Sequence, residues 1–196
     1  SSTPNPFMTT VNKNTALVTG GNRGIGKVLV KTLLERGASK VYAGARNPEA
    51  LAELIGKYGD RLVPVALDVT DPDAVAAAAA AAGDVGIVIN NAGAVANPDY
   101  FGDSLEGSRL EFEVNYWGSL NMIRAFAPIL KRNGGGALIN VSSIAGLVNF
   151  PMLPSYSDSK SAVHSLTTGC RILLAEQGTQ VVGVYPGPVD TDMAKD

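Results

Sequence analysis

Short apolar, β-branched runs alternate along the chain with longer stretches whose apolar positions recur every three to four residues. The short runs predict strands at residues 15–19 (TALVT), 40–43, 63–67, 85–90 (VGIVIN), 137–141 and 181–185. The run at 85–90 is apolar throughout, as expected of a strand covered on both faces. The longer stretches predict helices between them. The first spans 25–36 and stops at Gly37. The second opens on Asn47-Pro48-Glu49, a cap, a proline at the first helical position and an acid in the first turn, and ends at Gly59. The third opens on Asp71-Pro72-Asp73, runs through the alanines at 76–82 as a tightly packed helix, and stops at Gly83. Two long helices follow, over 109–132 and 155–177; Pro128 inside the first is expected to kink it or to free the carbonyl of Arg124. Such β-then-α alternation, with no linker and no repeat, predicts an α/β chain: a doubly wound parallel sheet with helices on both faces, three layers in one domain over residues 13–196.

Composition narrows the function classes. In 196 residues, 45% are hydrophobic and 17% charged, the balance of a folded chain and not of a disordered one. A net charge of −2 supplies no field for nucleic acid or for an anionic membrane. One cysteine (Cys170) and one histidine (His164) exclude an intramolecular disulfide and a Cys₄ or Cys₂His₂ zinc site, and fit a reducing compartment. Residues 1–11 are polar and hold Pro4 and Pro6; they lack the basic start and apolar run of a signal peptide, Met8 is read as the native start with an ordinary frayed terminus as the alternative, and residues 1–12 are expected to lie outside the folded domain. No stretch reaches the ~20 apolar residues of a membrane helix, so the chain is expected to be soluble and cytoplasmic. His164 and Cys170 read as packing residues, Tyr116 and Trp117 as core or subunit contacts, and Lys131-Arg132 as cations at a helix C-terminus.

Two constellations carry candidate chemistry. Residues 19–26 (TGGNRGIG) join the first strand to the first helix. There Gly20, Asn22, Arg23, Gly24, Ile25 and Gly26 would let the backbone approach a pyrophosphate at a helix N-terminus. The spacing is G-x-x-x-G-x-G, and a glycine-rich turn can be only a turn. An NAD site places an acid at the end of the second strand; here Arg46 follows Ala45, and with Arg23 it suits a 2′-phosphate, so NADP(H) is preferred to NAD(H). The alternative for both arginines is a solvated surface charge. Downstream, Tyr156 and Lys160 stand four apart on one helix face, where the ammonium is expected to lower the phenol pKa and suit it to proton transfer. Ser143 ends the fifth strand, where ligands of parallel sheets sit, although many such serines are caps.

Taken with residues 68–69 (DV), 90–93 (NNAG), Asn115 in VNYWG, NVSSIAG, YSDSK and PGPVDT, these motifs stand in one order and spacing. In that register the chain resembles the short-chain dehydrogenase/reductase family in its compact Rossmann-fold form, over nearly everything from Lys13 onward. The resemblance implies that Tyr156 is the catalytic acid/base, that Lys160 tunes it and binds the nicotinamide ribose, and that Ser143, in preference to Ser142, polarises a carbonyl. It implies that Asn115 holds a water of a proton relay, and that Asp68 and Val69 contact adenine, with a turn acid as the alternative for Asp68. Asn91, Ala92 and Gly93 would line the ribose and stabilise the sheet; Pro186, Gly187, Val189 and Thr191 would hold the nicotinamide.

The activity so implied is reversible, NADP(H)-dependent hydride transfer between nicotinamide and a carbonyl or secondary alcohol. A non-catalytic cofactor-binding regulator and an acyl-thioester (3-oxoacyl) reductase are the alternatives; the last would want basic residues at the cleft, for which Arg109, Arg124 and Arg171 are scattered candidates. The substrate pocket is expected from segments 94–103 and 145–153 and the region after Thr191, where Val148, Phe150, Met152 and Leu153 favour a hydrophobic small molecule. The family further implies a homodimer or homotetramer through the two long helices. Because relatives continue into another helix and a seventh strand, the C-terminal lid and last strand are expected to be missing from these 196 residues.

Overall fold

The structure, a computed structural model, describes residues 9–96 and 99–187. Six strands, β1 (Thr15–Thr19), β2 (Lys40–Ala45), β3 (Leu62–Ala66), β4 (Ile87–Asn90), β5 (Ala137–Val141) and β6 (Gln180–Val184), form one sheet in the order β3-β2-β1-β4-β5-β6, every neighbouring pair parallel. The order reverses between β1 and β4, which opens a crevice at their carboxyl ends. Strand alternation builds two cores. Leu17, Val88 and Leu138 face one layer with Met122, Phe126 and Leu130; Ala16, Val18, Ile87 and Ile89 face the other with Val30, Leu33, Leu34 and Leu54. Pro64 sits in β3, an edge strand, where its missing N–H costs least.

The helices are α1 (Gly24–Glu35), α2 (Ala52–Tyr58), α3 (Pro72–Ala81), α4 (Glu106–Phe112), α5 (Ser119–Arg132) and α6 (Pro154–Leu173), with 3₁₀ turns at Pro48–Leu51 and Ile144–Gly146. Several expected boundaries move. The helix opened by Asn47-Pro48 begins as a 3₁₀ turn and becomes α-helical only at Ala52. In α3 the Asp71 carboxylate caps the N–H groups of Asp73 and Ala74, but only Val75 and Ala78 are buried, so the alanine stretch is packed along one stripe and not tightly throughout. Pro128 leaves α5 unbroken. The last helix ends at Leu173, short of Gln177, where a turn closes with the Thr179 N–H on the Leu174 carbonyl.

The largest departure is the expected helix over 109–132. It starts earlier, at Glu106, and is interrupted by a π-helical segment, Glu113–Gly118, between α4 and α5. The segment passes so close to the end of β3 that a β-carbon on Gly118 would lie 2.5 Å from Val69 Cγ2. Asn121 seals the same contact by donating to the Val69 carbonyl at 3.0 Å. Among the described residues no helix is long and apolar enough to cross a membrane.

Candidate active site

The crevice between the β1 and β4 ends is a cleft of about 640 Å³. Most residues singled out in the sequence converge on it: Gly20, Asn22, Arg23, Gly24 and Ile25 from the first loop, Arg46 beyond β2, Asp68 and Val69 beyond β3, Asn91, Ala92 and Gly93 beyond β4, and Ser143, Tyr156, Lys160 and Pro186 on the other side. Gly26 lies behind that lining: it is buried, and a β-carbon there would overlap the Gly20 carbonyl oxygen. Gly187 follows Pro186 without lining the cleft, and Val189 and Thr191 lie outside the described residues.

The glycine loop is shaped for an anion. Gly20 and Gly24 adopt φ of +62° and +52°, values natural to glycine. The N-terminus of α1 has neither a side-chain cap nor an acid in its first turn, in contrast to α3 with its Asp71 cap. Its first N–H groups are therefore left for a ligand. Asn91 pins this loop to β4: its Nδ2 donates to the carbonyls of Thr19 (3.2 Å) and Gly20 (3.3 Å), while Thr19 Oγ1 accepts the N–H groups of Asn91 and Ala92 at 2.9 Å each. Asp68 accepts from the Thr70 hydroxyl at 2.7 Å and the Thr70 N–H at 2.9 Å. Those two bonds hold its pKa below the usual carboxylate value, with a smaller contribution from the Arg46 charge. The turn reading of Asp68 and its place in the cleft thus hold together. The residues present fit a dinucleotide: an uncapped helix end, glycines at the closest approach, and Arg46 in place of an acid after β2.

On the opposite wall Tyr156 and Lys160 occupy the first turns of α6 and are both buried. Lys160 Nζ donates to the Val141 carbonyl at 3.0 Å and lies 5.8 Å from the Tyr156 ring centre. Burial lowers its pKa from 10.5 to about 8. The Tyr156 pKa moves opposite to the sequence expectation. Burial raises it, a hydrogen bond with Ser143 lowers it, and the Glu111 charge raises it further. Desolvation of the phenolate outweighs its polar neighbours, so the phenol is held in its protonated form. Ser143 also caps the 3₁₀ turn by accepting the Ala145 N–H at 3.0 Å, whereas Ser142, which lines the cleft as well, spends its hydroxyl on the Lys160 carbonyl.

Asn115 sits in the π segment and is 1% exposed. Its Oδ1 accepts the Ala94 N–H at 2.8 Å, and its Nδ2 donates to the Ala94 carbonyl (3.0 Å) and to Ser159 Oγ (2.9 Å). The amide is thereby committed to protein partners. Val95 falls in the expected 94–103 segment, whereas lining residues that the sequence left unremarked include Leu67, Leu110 and Glu113; of the four apolar residues expected at the pocket, Phe150 and Leu153 line it, while Val148 and Met152 face outward. Outside the cleft lining, Tyr100 donates to Asp158 Oδ2 at 2.6 Å and accepts from Asn149 Nδ2 at 3.1 Å, tying the loops after β4 and β5 to α6. Asp158 raises the Tyr100 pKa through that bond. His164 meets Tyr185 at 2.6 Å, and Cys170 is a buried free thiol.

A parallel sheet with this crevice, a glycine turn at one wall and a Ser-Tyr-Lys cluster at the other defines a dinucleotide-dependent oxidoreductase fold. The family model described as short chain dehydrogenase matches residues 14–196, and the chain belongs to that family. A curated relative from Botryotinia fuckeliana, oxidoreductase BOA17, is 34% identical over 90% of this chain and 66% of its own length. The Bacillus subtilis uncharacterized oxidoreductase YusZ is 33% identical over 93% of this chain and 68% of its own. The chain thus spans about two thirds of these relatives. Among solved structures, a Burkholderia cenocepacia short chain dehydrogenase in complex with NADP superposes with a TM-score of 0.88 at 46% identity, over 95% of this chain and 77% of that one. A 3-ketoacyl-(acyl-carrier-protein) reductase from Brucella melitensis complexed with NADH gives 0.88 at 30% identity, over 94% and 79%.

Proposed function

We propose that the chain is an NADP(H)-dependent oxidoreductase that interconverts a small, hydrophobic carbonyl compound and its secondary alcohol. One observation carries this reading: a buried tyrosine kept protonated, bonded to Ser143 and one turn from Lys160, shares a cleft with an uncapped helix N-terminus and Arg46. The bound dinucleotide supplies or accepts the hydride. In reduction the Ser143 hydroxyl orients the carbonyl oxygen, and Tyr156 Oη delivers the proton to that oxygen as negative charge develops on it. Lys160, anchored at Val141, holds a positive charge beside the phenolate left behind. Asn115 fixes the Ala94 turn against α6, and the apolar side chains of Val95, Leu110, Val114, Phe150 and Leu153 form the wall for the rest of the substrate.

Arg46 after β2, with Arg23 beside the glycine turn, supports NADP(H) over NAD(H), as do the NADP complexes of the Burkholderia cenocepacia dehydrogenase and of a gluconate 5-dehydrogenase from that organism, 30% identical. Asp68, Val69, Asn91, Ala92, Gly93, Pro186 and Gly187 are assigned to the adenine, ribose and nicotinamide as the sequence implied. The two long helical faces carry exposed Leu110, Trp117, Ile172 and Leu173, which supports a homo-oligomer; a monomer in sedimentation would overturn that part. The test of the activity is NADPH consumption across a panel of hydrophobic ketones and aldehydes. Turnover with NADPH exceeding that with NADH is expected, and no turnover with any carbonyl alongside intact NADPH binding would leave a binding protein instead.

A further inference from the structure

The helix that leads into the π segment brings to the site a carboxylate that the hydride-transfer reading does not use. Glu111 is 0% exposed. Its Oε1 accepts the hydroxyl of Ser155, and its Oε2 accepts the backbone N–H of Ala96 at 3.2 Å. Both oxygens are thereby tied to protein partners, one on α6 and one on the loop after β4. A buried carboxylate without neutralising partners is costly, so its retention against these two donors calls for a reason.

The geometry around it is a pair of rungs. Glu111 and Asn115 stand four apart on one helix; Ser155 and Ser159 stand four apart on α6. Ser155 bonds to Glu111, and Asn115 bonds to Ser159. Each rung also grips the loop after β4, Asn115 at Ala94 and Glu111 at Ala96. Tyr156 and Lys160 each follow a rung serine by one residue. These two rungs, with Tyr100 on Pro154 and Asp158, hold the catalytic pair against the substrate-side loop, and of the two rung residues only Asn115 belongs to the family motifs.

We propose that Glu111 is a positioning residue for the proton donor, clamping the first turn of α6 at Ser155 to the substrate loop at Ala96 and setting a fixed negative charge behind Tyr156. This rests on the oxidoreductase reading above. Two groups besides burial act on the Tyr156 phenol, the Ser143 hydroxyl from the turn after β5 and Glu111 from α4, and the Lys160 Nζ on its own helix lies 5.8 Å from the ring centre. Of these only Glu111 brings negative charge, which disfavours the phenolate and so biases the site towards donating a proton, the reductive direction.

The test pairs Glu111→Gln with Ser155→Ala. The first keeps the shape and removes the charge; the second keeps the charge and removes the hydroxyl rung. Both are expected to keep NADPH affinity and to lower carbonyl-reduction kcat by roughly tenfold. Only Glu111→Gln is expected to move the alkaline loss of reductase activity to lower pH, because without the carboxylate the phenol ionises earlier. The same shift is expected in the ultraviolet titration of tyrosinate, with Tyr156→Phe subtracted to isolate the one phenol. That readout needs no turnover, so it tests Glu111 even if no carbonyl substrate is reduced and the oxidoreductase reading fails. An unshifted Tyr156 titration in a folded Glu111→Gln protein would overturn the proposal. So would unchanged kcat in both variants of an active enzyme. If Glu111→Gln does not fold, Ser155→Ala decides on kcat at unchanged NADPH affinity.

Discussion

The two walls of the cleft are built by different means. The wall formed by β1, β2 and β3 presents mainly backbone: a glycine turn, an uncapped helix end, and the Arg46 charge projecting from a loop. The wall formed by β4, β5 and α6 presents buried side chains that hold one another. Asn90 Nδ2 donates to Asn140 Oδ1 (3.0 Å) and Asn140 Nδ2 to Thr167 Oγ1 (3.1 Å), and the Asn115–Ser159 and Glu111–Ser155 rungs form a second set of buried polar contacts on α6. A diphosphate is a large, fixed anion that backbone N–H groups recognise whatever side chains surround them. Proton transfer needs one oxygen placed within a fraction of an ångström, and that requires packed, mutually satisfied polar groups. Binding is thereby entrusted to chain path, and chemistry to side-chain order.

Substitutions on the two walls should therefore fail differently. The largest effect belongs to Tyr156→Phe, which should lower turnover by ~10²–10⁴-fold, the range of a lost general acid, with NADPH affinity retained. Stopped-flow turnover and fluorescence titration check the two halves of that statement, and equal loss in both would erase the division between the walls. Next comes Gly26→Ala. Its new β-carbon would also meet Asn91 Nδ2 at 2.5 Å, so both the Asn91 brace and the turn must shift. A stability loss of ~1–3 kcal/mol with loss of dinucleotide binding is expected in denaturant melts and titration. Gly24→Ala meets no atom within 4 Å and suffers only from its φ of +52°, so it should cost less, about 1–2 kcal/mol.

Lys160→Met tests the catalytic wall through its electrostatics. Burial depresses the Lys160 pKa from 10.5 to about 8. The folded state then holds fewer protons than the unfolded one between those two values, so stability rises with pH across that window. The burden is full below pH 8 and fades towards 10.5. Lys160→Met should lower turnover less than Tyr156→Phe does, yet be more stable than the parent at pH 7, by on the order of 2 kcal/mol, with the difference shrinking above pH 8 in thermal melts. A gain that is the same at every pH would place its origin in packing. The smallest effect is that of Arg46→Ala: about a tenfold loss of NADPH affinity, or 1.4 kcal/mol, with NADH affinity unchanged. Equal weakening of both cofactors would remove Arg46 from 2′-phosphate recognition.

The same division explains what could be read from the chain alone. The strands were legible because TALVT and VGIVIN are β-branched and bounded by turn residues, and the glycine turn was legible because only one residue type makes it. Arg46 was legible by substitution for an acid. The polar order of the other wall was largely hidden. Glu111 lies in the stretch RLEFE beside the exposed Glu113, and nothing local distinguishes the buried carboxylate from the solvated one. Its i, i+4 spacing to Asn115 was the available signal. The direction of the Tyr156 shift was missed because pair spacing reports a neighbouring charge and says nothing of desolvation, which here is the largest cause. The π segment left no mark either, since a period of 3.6 in the apolar positions resumes on each side of it.

That segment has a consequence for how the long helix divides its labour. An α-helix turns about 100° per residue, so a face that begins towards the cleft at Glu111 would carry its phase rigidly into Met122, Phe126 and Leu130, which must meet the sheet. The wider turn over Glu113–Gly118 resets the angular phase between the two. Upstream residues can then answer to the ligand and downstream residues to the core, like two keys cut on separate blades of one shank.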